Sequence, residues 1–580
     1  MLLHIPSTEK MLITETTPLV GVQKPYTLSE PRDVENANIV PNNGPFHDVV
    51  KPANLYMIIA SLWLGTFLSA ADTTIVSTTA NTIASSMNGS EKLSWIATSY
   101  LLTNTIFQPL VGRISDVFGR RTVLIFAQFW FALGCLCCSL SQSVTQFAVA
   151  RALAGIGGGG MSALSSIIAT DIIPLGERGM FQGYANLLYG LGQFTGPILG
   201  SAFVAYDEES GWRWMFAIQV PFVVLAGILV FANVHEYRQD QMKDVDMKNR
   251  FALENLKKID LPGSFLLSCT IVSLLMIFNA QSLEQVLLYL AFLFISATAF
   301  ALVEKYIMTV RIIPPSAFQG VLRISAFIVF FAGGSIAGIG YITPLYLQIV
   351  HDFSQFQLGI FNSISIFAAP LGSLSAGWYL KQDPNVSTAT IIERSIKLSM
   401  LSCLALFTGF SLILFQTVTL KPTISRSNLT FGTYAELSVI LLGSCISAVG
   451  YGAFLVAILI LVVGIVGVKT QATVTGMNYM FRSMGQSSGV GISLGLYNLN
   501  VVRSLAKYFQ KDVENGHSIL DKLTSSTAYL RKGMPSQYLS DVLLIYKQAI
   551  YYSVAVVFGA GSIAFLFSLM LHSFHSNQGK

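Results

Sequence analysis

Long apolar runs alternate with short polar segments along most of this chain. A bilayer core of about 30 Å is crossed by about 20 apolar residues in α-helical conformation. Runs of this kind predict fourteen membrane spans, near 55–77, 93–111, 123–141, 145–168, 181–204, 215–234, 262–280, 285–303, 324–349, 356–380, 395–416, 435–464, 474–499 and 549–571. The fold class we expect is an all-α polytopic membrane protein. Its spans form two six-helix bundles, 55–234 and 324–571, with an inserted helix pair at 262–303.

Polar segments fill the rest of the chain. Residues 1–54 are polar and rich in proline, which predicts a disordered cytosolic tail. Within this tail, residues 15–20 (Glu-Thr-Thr-Pro-Leu-Val) are similar to an acidic dileucine signal, which directs proteins to a vacuole or lysosome. The other polar segments are predicted as a charged cytosolic linker at 235–261, a long luminal loop at 500–547 and a short cytosolic tail at 572–580.

Lysine and arginine are concentrated in the short loops on one side of this arrangement. Because cytosolic loops carry the excess of positive charge in membrane proteins, the bias predicts that both termini are cytosolic. With this orientation, Asn88 and Asn428 stand in luminal Asn-X-Ser/Thr sequences. Both are therefore candidates for glycosylation.

The composition excludes most other classes of protein. Hydrophobic residues make up 53% of the chain and charged residues 11%, whereas soluble domains carry about 25% charged residues. The six cysteines lie in apolar runs without zinc-site spacing. We find no nucleophile triad, metal cluster or phosphate-binding loop, and therefore expect no enzyme, metal or cofactor. The net charge of +5 is explained by loop residues and does not indicate a nucleic-acid partner.

The first predicted span contains a carboxylate, Asp72, among apolar residues. A carboxylate in a membrane is costly unless it pairs, binds a cation or titrates. Asp72 is therefore a candidate for handling protons or cations. The alternative is a carboxylate at the luminal mouth, held by the hydroxyls of Thr73 and Thr74. Under the first interpretation, Asp72→Asn should abolish uptake while expression and sorting stay intact.

Two arginines also lie within predicted spans. Arg151 precedes a glycine-rich stretch, and is either paired in the bundle interior or an interfacial residue that reaches toward the headgroups. Arg482 lies in the thirteenth span. It either orients an anion or pairs with a carboxylate.

A short loop follows the second span and combines glycines with charges. The glycines allow a tight bend, and Asp116 could cap the next helix and pair with an arginine when the two bundles close. The alternative is a solvated charge run that only follows the positive-inside rule. The residues of this candidate gating loop are Gly112, Asp116, Gly119, Arg120 and Arg121.

The fifth span contains a Gly-Pro pair, which removes a backbone hydrogen bond and bends the helix. Close glycine packing alone is the other explanation for this stretch, whose main residues are Gly192, Gly196, Pro197 and Gly200. Further polar groups in the spans are candidates for the wall of a central cavity, although a polar group in a span more often makes a helix–helix hydrogen bond than binds a substrate. These are Tyr184, Asn186, Gln193, Gln219, Asn362, Asn478 and Arg482.

Several of these motifs resemble those of one transporter superfamily. The loop at 112–121 is similar to the signature loop of the major facilitator superfamily, and the stretch at 151–160 is similar to its fourth-span motif, in which the arginine is tied to proton coupling. The fifth-span stretch resembles the antiporter motif, with Ser201 in place of its final glycine. Asp72-Thr-Thr-Ile-Val resembles the first-span motif of fourteen-span drug:proton antiporters.

Other stretches are similar to the fungal vacuolar basic amino acid transporters, namely 94–105, 107–110, 181–186 and 212–221. The resemblance implies a monomer in the vacuolar membrane that exchanges lysine, histidine and arginine for luminal protons by alternating access. Its partners would be small cationic solutes, protons and the lipid bilayer. Asp72 and Arg151 would couple the flows, with protons and the cation competing at Asp72. The alternatives are a plasma-membrane multidrug or siderophore exporter and a non-transporting membrane sensor.

Overall fold

The computed structural model describes residues 52–87, 93–173, 175–207, 210–234, 260–277, 283–307, 320–353, 355–381, 388–420, 431–466, 471–509 and 534–578. All the elements in this part of the chain are helical. The two glycosylation candidates, nearly all of the N-terminal tail and most of the charged linker lie outside the described residues.

Seven helices form the first bundle. They are α1 (Pro52–Ser86), α2 (Leu93–Phe118), α3 (Arg120–Leu140), α4 (Val144–Ile172), α5 (Leu175–Tyr206), α6 (Gly211–Ala217) and α7 (Gln219–Asn233). The short α6 and the longer α7 meet at Ile218 and together form the sixth predicted span. Proline stands at the first position of α1, where its missing N–H leaves no helical hydrogen bond unmade.

The second half contains the inserted pair and six further helices. They are α8 (Leu261–Ile277), α9 (Leu283–Leu302) with a π-helical turn at Val303–Ile307, α10 (Gly320–His351), α11 (Gln355–Leu380), α12 (Thr388–Thr419), α13 (Phe431–Val466), α14 (Gln471–Phe509) and α15 (Ser536–Gln578). Each of the fourteen predicted spans falls on this helical framework. Within the described residues, eleven helical segments are long and apolar enough to cross a membrane, and Pro262–Leu274 is a shorter apolar helix.

Close backbone approach holds the first bundle together. Helix α4 packs between α2 and α3, and α1 packs on α5, α7 and α4. A Cβ atom added to Gly159 would lie 2.5 Å from the carbonyl oxygen of Asn104 on α2. Since lipid is as apolar as the helices, such close packing is the main attraction between membrane helices. The glycine-rich stretch of α4 is therefore required for α2 to lie at this distance.

The second bundle has the same pairwise organisation. Helix α10 packs on α14 and α15, α12 packs on α13 and α15, and α11 packs on α13. Contacts between the bundles are made mainly by α5 with α11 and by α2 with α14. The inserted pair lies against this second seam, where Leu267 and Ile271 of α8 pack with Met477 and Met480 of α14.

The loop predicted at 500–547 is shorter than expected, because helices occupy both of its ends. Helix α14 continues to Phe509 and α15 begins at Ser536. The two extensions contact each other: the Tyr508 hydroxyl donates to Asp541 Oδ2 at 2.7 Å, and the Phe509 and Tyr538 rings lie 5.8 Å apart. Their mutual packing explains why polar sequence remains helical here. Residues 510–533 lie outside the described part of the chain.

Candidate functional site

A cavity of about 1950 Å³ lies between the two bundles. Its wall is formed by α1, α2, α4 and α5 on one side and by α10, α11, α13 and α14 on the other, with Met276 of α8 at its edge. Arg178 and Arg482 are the charged side chains of this wall within the described residues, which contribute no carboxylate to it. The cavity is large enough for a metabolite-sized ligand together with water.

The bundles contact each other toward the end where α2 passes into α3, which we call the α2–α3 end. There the Asn186 amide of α5 donates to the Ser373 hydroxyl of α11 at 3.0 Å. The Ser483 hydroxyl of α14 and Gln108 Oε1 of α2 are 2.8 Å apart. The cavity lies on both sides of these contacts: its lining runs from Arg178 and Val463 near the α2–α3 end to Ile198, Gln348 and Asn498 toward the opposite end.

A second polar contact joins the bundles at the start of α14. Gln471 Nε2 donates to Asp171 Oδ1 of α4 at 3.3 Å, and its Oε1 accepts from Arg178 at 3.4 Å. Nearby, α5 and α11 touch through glycines, since a Cβ on Gly179 would lie 3.2 Å from the Cα of Gly377. The bundles are therefore closed at the α2–α3 end.

The predicted gating loop is a one-residue turn. Gly119 separates α2 from α3 and has a φ of 94°, a left-handed conformation that glycine adopts without strain. Gly112 lies seven residues earlier, within α2. Arg121 does not face the loop, because its guanidinium lies 4.0 Å from the centre of the Phe231 ring on α7.

Asp116 does not cap the following helix, contrary to the expectation. The helix begins at Arg120 and its N-cap residue is Gly119, and no side chain caps it through a hydrogen bond. Asp116 instead accepts a hydrogen bond from Arg120 at 2.7 Å, and Arg120 also donates to Asp171 Oδ2 at 2.9 Å. Arg120 thus links the loop to the carboxylate that Gln471 contacts from the other bundle. Asp116, Arg120 and Asp171 thus form specific ion pairs beside the contact between the bundles. The positive-inside rule alone would not require such pairing.

Asp72 of α1 and Arg151 of α4 form an ion pair inside the first bundle. Arg151 Nη1 donates to Asp72 Oδ2 at 2.6 Å, and the two side chains are 1% and 0% exposed. The Arg151 guanidinium also lies 4.3 Å from the centre of the Tyr100 ring. Arg151 is therefore paired in the bundle interior and does not reach toward the headgroups.

This ion pair lies behind the cavity wall. Ser69, Thr73 and Tyr100 line the cavity, whereas neither Asp72 nor Arg151 does. The Thr73 hydroxyl donates to a carbonyl of its own helix and the Thr74 hydroxyl contacts backbone carbonyls. The alternative prediction, in which the Thr73 and Thr74 hydroxyls hold Asp72 at the luminal mouth, is therefore wrong.

The pair leaves two polar atoms without partners among the described residues. Asp72 Oδ1 and Arg151 Nε are both buried and make no hydrogen bond. Buried polar atoms are nearly always bonded, because an unmet hydrogen bond costs about 1–3 kcal/mol. Asp72 Oδ1 is thus an available acceptor for one more proton or for water.

The fifth-span motif lies against the stretch of α1 that contains Asp72. Added Cβ atoms on Gly192 and Gly196 would meet the backbone of α1 at 2.5 Å, at Phe67 and Ala71 respectively. Pro197 has no N–H, so the carbonyl of Gln193, four residues earlier, loses its helical partner. The Thr74 hydroxyl donates to that carbonyl at 3.0 Å. Helix α1 thus compensates for the proline of α5, and Gly200 continues the same contact near Ile75.

Four of the seven cavity candidates line the cavity, namely Asn186, Gln193, Asn362 and Arg482. The other three do not. Tyr184 is more than one-third exposed and packs its ring edge-on to Trp63. The Gln219 amide donates to a backbone carbonyl of its own chain segment. Asn478 lies next to Tyr479, which does line the cavity.

Several lining residues were not singled out from the sequence. On α5, Gln182 and Tyr189 line the cavity together with the predicted Asn186 and Gln193. Their spacing of four, three and four residues is that of one helix face, so this signal was available. Tyr184 falls off that face. Tyr100 shares this spacing with Asn104 and Gln108 on α2, and Gln486 shares it with Arg482 on α14, so the same signal was available there. Tyr451 lies among mostly apolar lining residues of α13 and carries no such pattern.

Comparisons with known proteins identify the superfamily. A sequence model of the Major Facilitator Superfamily matches residues 62–490. The chain is 34% identical to "Vacuolar basic amino acid transporter 1" of Saccharomyces cerevisiae, over 93% of this chain and 96% of that protein. It is 31% identical to "Multidrug resistance protein fnx1" of Schizosaccharomyces pombe, over 90% and 93% of the two chains.

A solved structure shares the fold. The human organic anion transporter MFSD10 superposes with a TM-score of 0.54 at 14% identity, covering 89% of this chain and all of that one. The all-helical, membrane-spanning fold of the described residues agrees with these matches. The chain belongs to the major facilitator superfamily.

Proposed function

We propose that this protein is a proton-coupled antiporter that moves basic amino acids into the lumen of the vacuole by alternating access. The observation that carries the coupling is the buried Asp72–Arg151 pair, which lies one side chain behind the cavity wall. The full-length similarity to a vacuolar basic amino acid transporter supports the substrate class and the compartment.

Protonation of Asp72 would change the balance of forces inside the first bundle. A buried ion pair is stable because each charge compensates the other, and removing one charge leaves the other costly. When a proton binds Asp72, the attraction between α1 and α4 falls and Arg151 is left with the face of Tyr100. The proton is therefore expected to move α1 relative to α4.

Helix α5 can transmit this movement to the contact between the bundles. The Thr74 hydroxyl, two residues after Asp72, is bonded to the Gln193 carbonyl of α5. Two turns earlier on the same helix, Asn186 is bonded to Ser373 of the other bundle. A displacement of α1 would thus reach the α5–α11 seam that closes the cavity.

By the positive-inside rule we expect the α2–α3 end to face the cytosol. The described conformation would then be closed to the cytosol, with its cavity extending toward the lumen. This orientation fits a transporter that has released its substrate and next takes up a luminal proton. Because Asp72 lies behind Tyr100 here, the proton and the substrate would be coupled through helix movement, in place of direct competition for one carboxylate.

The cavity can bind a cation without a carboxylate. Tyr341 and Tyr451 line it, and aromatic faces attract ammonium and guanidinium groups. Asn104, Gln108 and Gln193 add amide oxygens to the same wall. A cationic side chain would be held loosely, as a carrier that must release its substrate requires.

Uptake into isolated vacuolar vesicles tests the proposal. Vesicles with and without this protein are energised with ATP and supplied with radiolabelled lysine, arginine or histidine, with or without a proton uncoupler. Protein-dependent uptake that the uncoupler abolishes is the expected result. An absence of protein-dependent uptake, with the protein present at normal abundance, would contradict it.

A multidrug exporter is the second candidate. It is favoured by the similarity to a protein named for multidrug resistance. The same vesicles separate the two proposals when a lipophilic organic cation replaces the amino acid. Uncoupler-sensitive uptake of that cation, without lysine uptake, would favour drug export.

A further inference from the structure

We infer that Arg482 forms a subsite for the carboxylate of the transported molecule. This inference rests on the proposed function and names the part of the substrate that the cavity recognises by charge. It predicts a carrier that selects amino acids over amines of the same shape that lack the carboxylate.

The position of Arg482 is that of a substrate-binding residue. It lies eleven residues after the start of α14 at Gln471. At 1.5 Å per residue this is ~16 Å along the helix, about half of the ~30 Å hydrocarbon core. Binding sites of membrane transporters lie near this midplane, between the two repeats.

Arg482 has no counter-ion among the described residues. Its Nε is buried and unbonded, and its guanidinium lies 4.4 Å from the centre of the Tyr479 ring. The other lining arginine, Arg178, already donates to Ile173 and Gln471. A positive charge within a membrane is costly when it is unpaired. The cavity therefore contains one guanidinium that is available to an anion.

The groups around Arg482 fit a carboxylate better than a larger anion. Tyr189 of α5 and Tyr451 of α13 line the same cavity as Arg482 and supply hydroxyl groups to its wall. Gln486 donates from Nε2 to the Tyr451 hydroxyl at 3.3 Å and orients it. A guanidinium binds a planar carboxylate through two parallel hydrogen bonds, and hydroxyl donors can complete its shell.

The subsite also adjoins the contact that closes the cavity. Ser483, the next residue of α14, is bonded to Gln108 of α2 across the bundles. Tyr189 comes from the first bundle, whereas Arg482, Tyr451 and Gln486 come from the second. A carboxylate at Arg482 would therefore contact both halves of the protein. Binding of the carboxylate would therefore affect the Ser483–Gln108 contact between the two bundles.

Competition by substrate analogues tests the subsite in the unaltered protein. Uptake of radiolabelled lysine into vesicles is measured against unlabelled lysine, lysine amide and cadaverine. The last two keep the amines and lack the carboxylate. We expect lysine to compete at least about tenfold better than either analogue, since a charge-assisted hydrogen bond contributes about 1.5–3 kcal/mol. Equal competition by all three would overturn the inference.

A pair of variants localises the effect. Arg482→Gln should raise the apparent KM for lysine about tenfold or more and should remove the preference for lysine over lysine amide. Arg503→Gln, on the exposed face of the same helix, should leave both unchanged. If Arg482→Gln is not recovered in the membrane, the analogue competition still decides. An Arg482→Gln protein that keeps the wild-type preference would contradict the assignment.

The outcomes distinguish this inference from the proposed function. If the wild-type protein transports no lysine, the proposed function fails. If it transports lysine, but unlabelled lysine and lysine amide inhibit that uptake equally, the proposed amino acid transporter stands and the Arg482 subsite fails.

Discussion

The Thr74 hydroxyl of α1 donates a hydrogen bond to the Gln193 carbonyl of α5, 3.0 Å away. That carbonyl is the one whose helical donor is missing at Pro197. The glycine-proline motif of α5 therefore does more than bend a helix. It creates an acceptor that only the neighbouring helix can satisfy, two residues from the buried Asp72.

Thr74→Val should weaken this link. The substitution keeps the shape of the side chain but leaves the Gln193 carbonyl unmet, at a cost of about 1–3 kcal/mol. We expect a lower thermal unfolding temperature in detergent and slower lysine uptake. The matched control is Thr408→Val, because the Thr408 hydroxyl donates to a carbonyl of its own helix and Thr408 does not line the cavity. Equal unfolding temperatures for Thr74→Val and the wild type would contradict the compensation.

Gly196→Ala should separate α5 from α1. The new methyl group would overlap the Thr74 hydroxyl and lie 2.5 Å from the Ala71 carbonyl oxygen, and backbone cannot move aside cheaply. We expect loss of uptake at normal protein abundance, or a lowered unfolding temperature.

Gly559→Ala is the control for that substitution. No atom lies within 4 Å of a Cβ built on Gly559, which is also a helical glycine. The control should keep full uptake. An active Gly196→Ala protein would show that this close approach is not required.

Asp72→Asn should reduce stability as well as uptake. The sequence alone suggested that expression and sorting would be unaffected, but the substitution leaves the buried Arg151 without its counter-charge. Removing one partner of a buried pair costs about 3–5 kcal/mol. We expect the double variant Asp72→Asn/Arg151→Gln to unfold at a higher temperature than Asp72→Asn, while uptake stays absent.

Asp541→Asn controls for the loss of an aspartate, since Asp541 is exposed and contacts Tyr508 away from the cavity. Uptake by this variant should match the wild type. If Asp72→Asn or Asp72→Asn/Arg151→Gln shows proton-driven uptake at the wild-type rate, Asp72 is not required for proton coupling.

A reversible cross-link tests the closure at the α2–α3 end. The Asn186 and Ser373 side chains contact each other across the α5–α11 seam, so cysteines at these two positions face each other. Oxidation of Asn186→Cys/Ser373→Cys should stop uptake, and a reductant should restore it. The single-cysteine variants are the controls. Uptake that continues after complete cross-linking would show that the seam need not open.

The helical framework was readily predicted, because a span needs only a long apolar run. Pairing within the bundles was not. Asp72 and Arg151 are 79 residues apart, and no local pattern indicates that they meet. The ends of α14 and α15 were missed because Tyr508 and Asp541 look like loop residues until the two helices are seen in contact.

The cavity wall could be predicted only where polar residues repeat on one helix face. On α5, Asn186 and Gln193 share a face, and Tyr189 could have been added from the same spacing. On the most apolar helices, such as α13, lipid-facing and bundle-facing residues are equally apolar, so hydrophobicity gives no direction. Gln219 was selected for its polarity, yet its amide is used in a backbone contact.

The most direct test of the central claim is to measure whether substrate and protons move in opposite directions. Vesicles containing the protein, with a luminal pH dye and an acidic lumen, are given lysine outside without ATP. We predict that lysine accelerates proton efflux, and that the Asp541→Asn protein behaves in the same way. Lysine uptake without any proton efflux would contradict proton-coupled antiport.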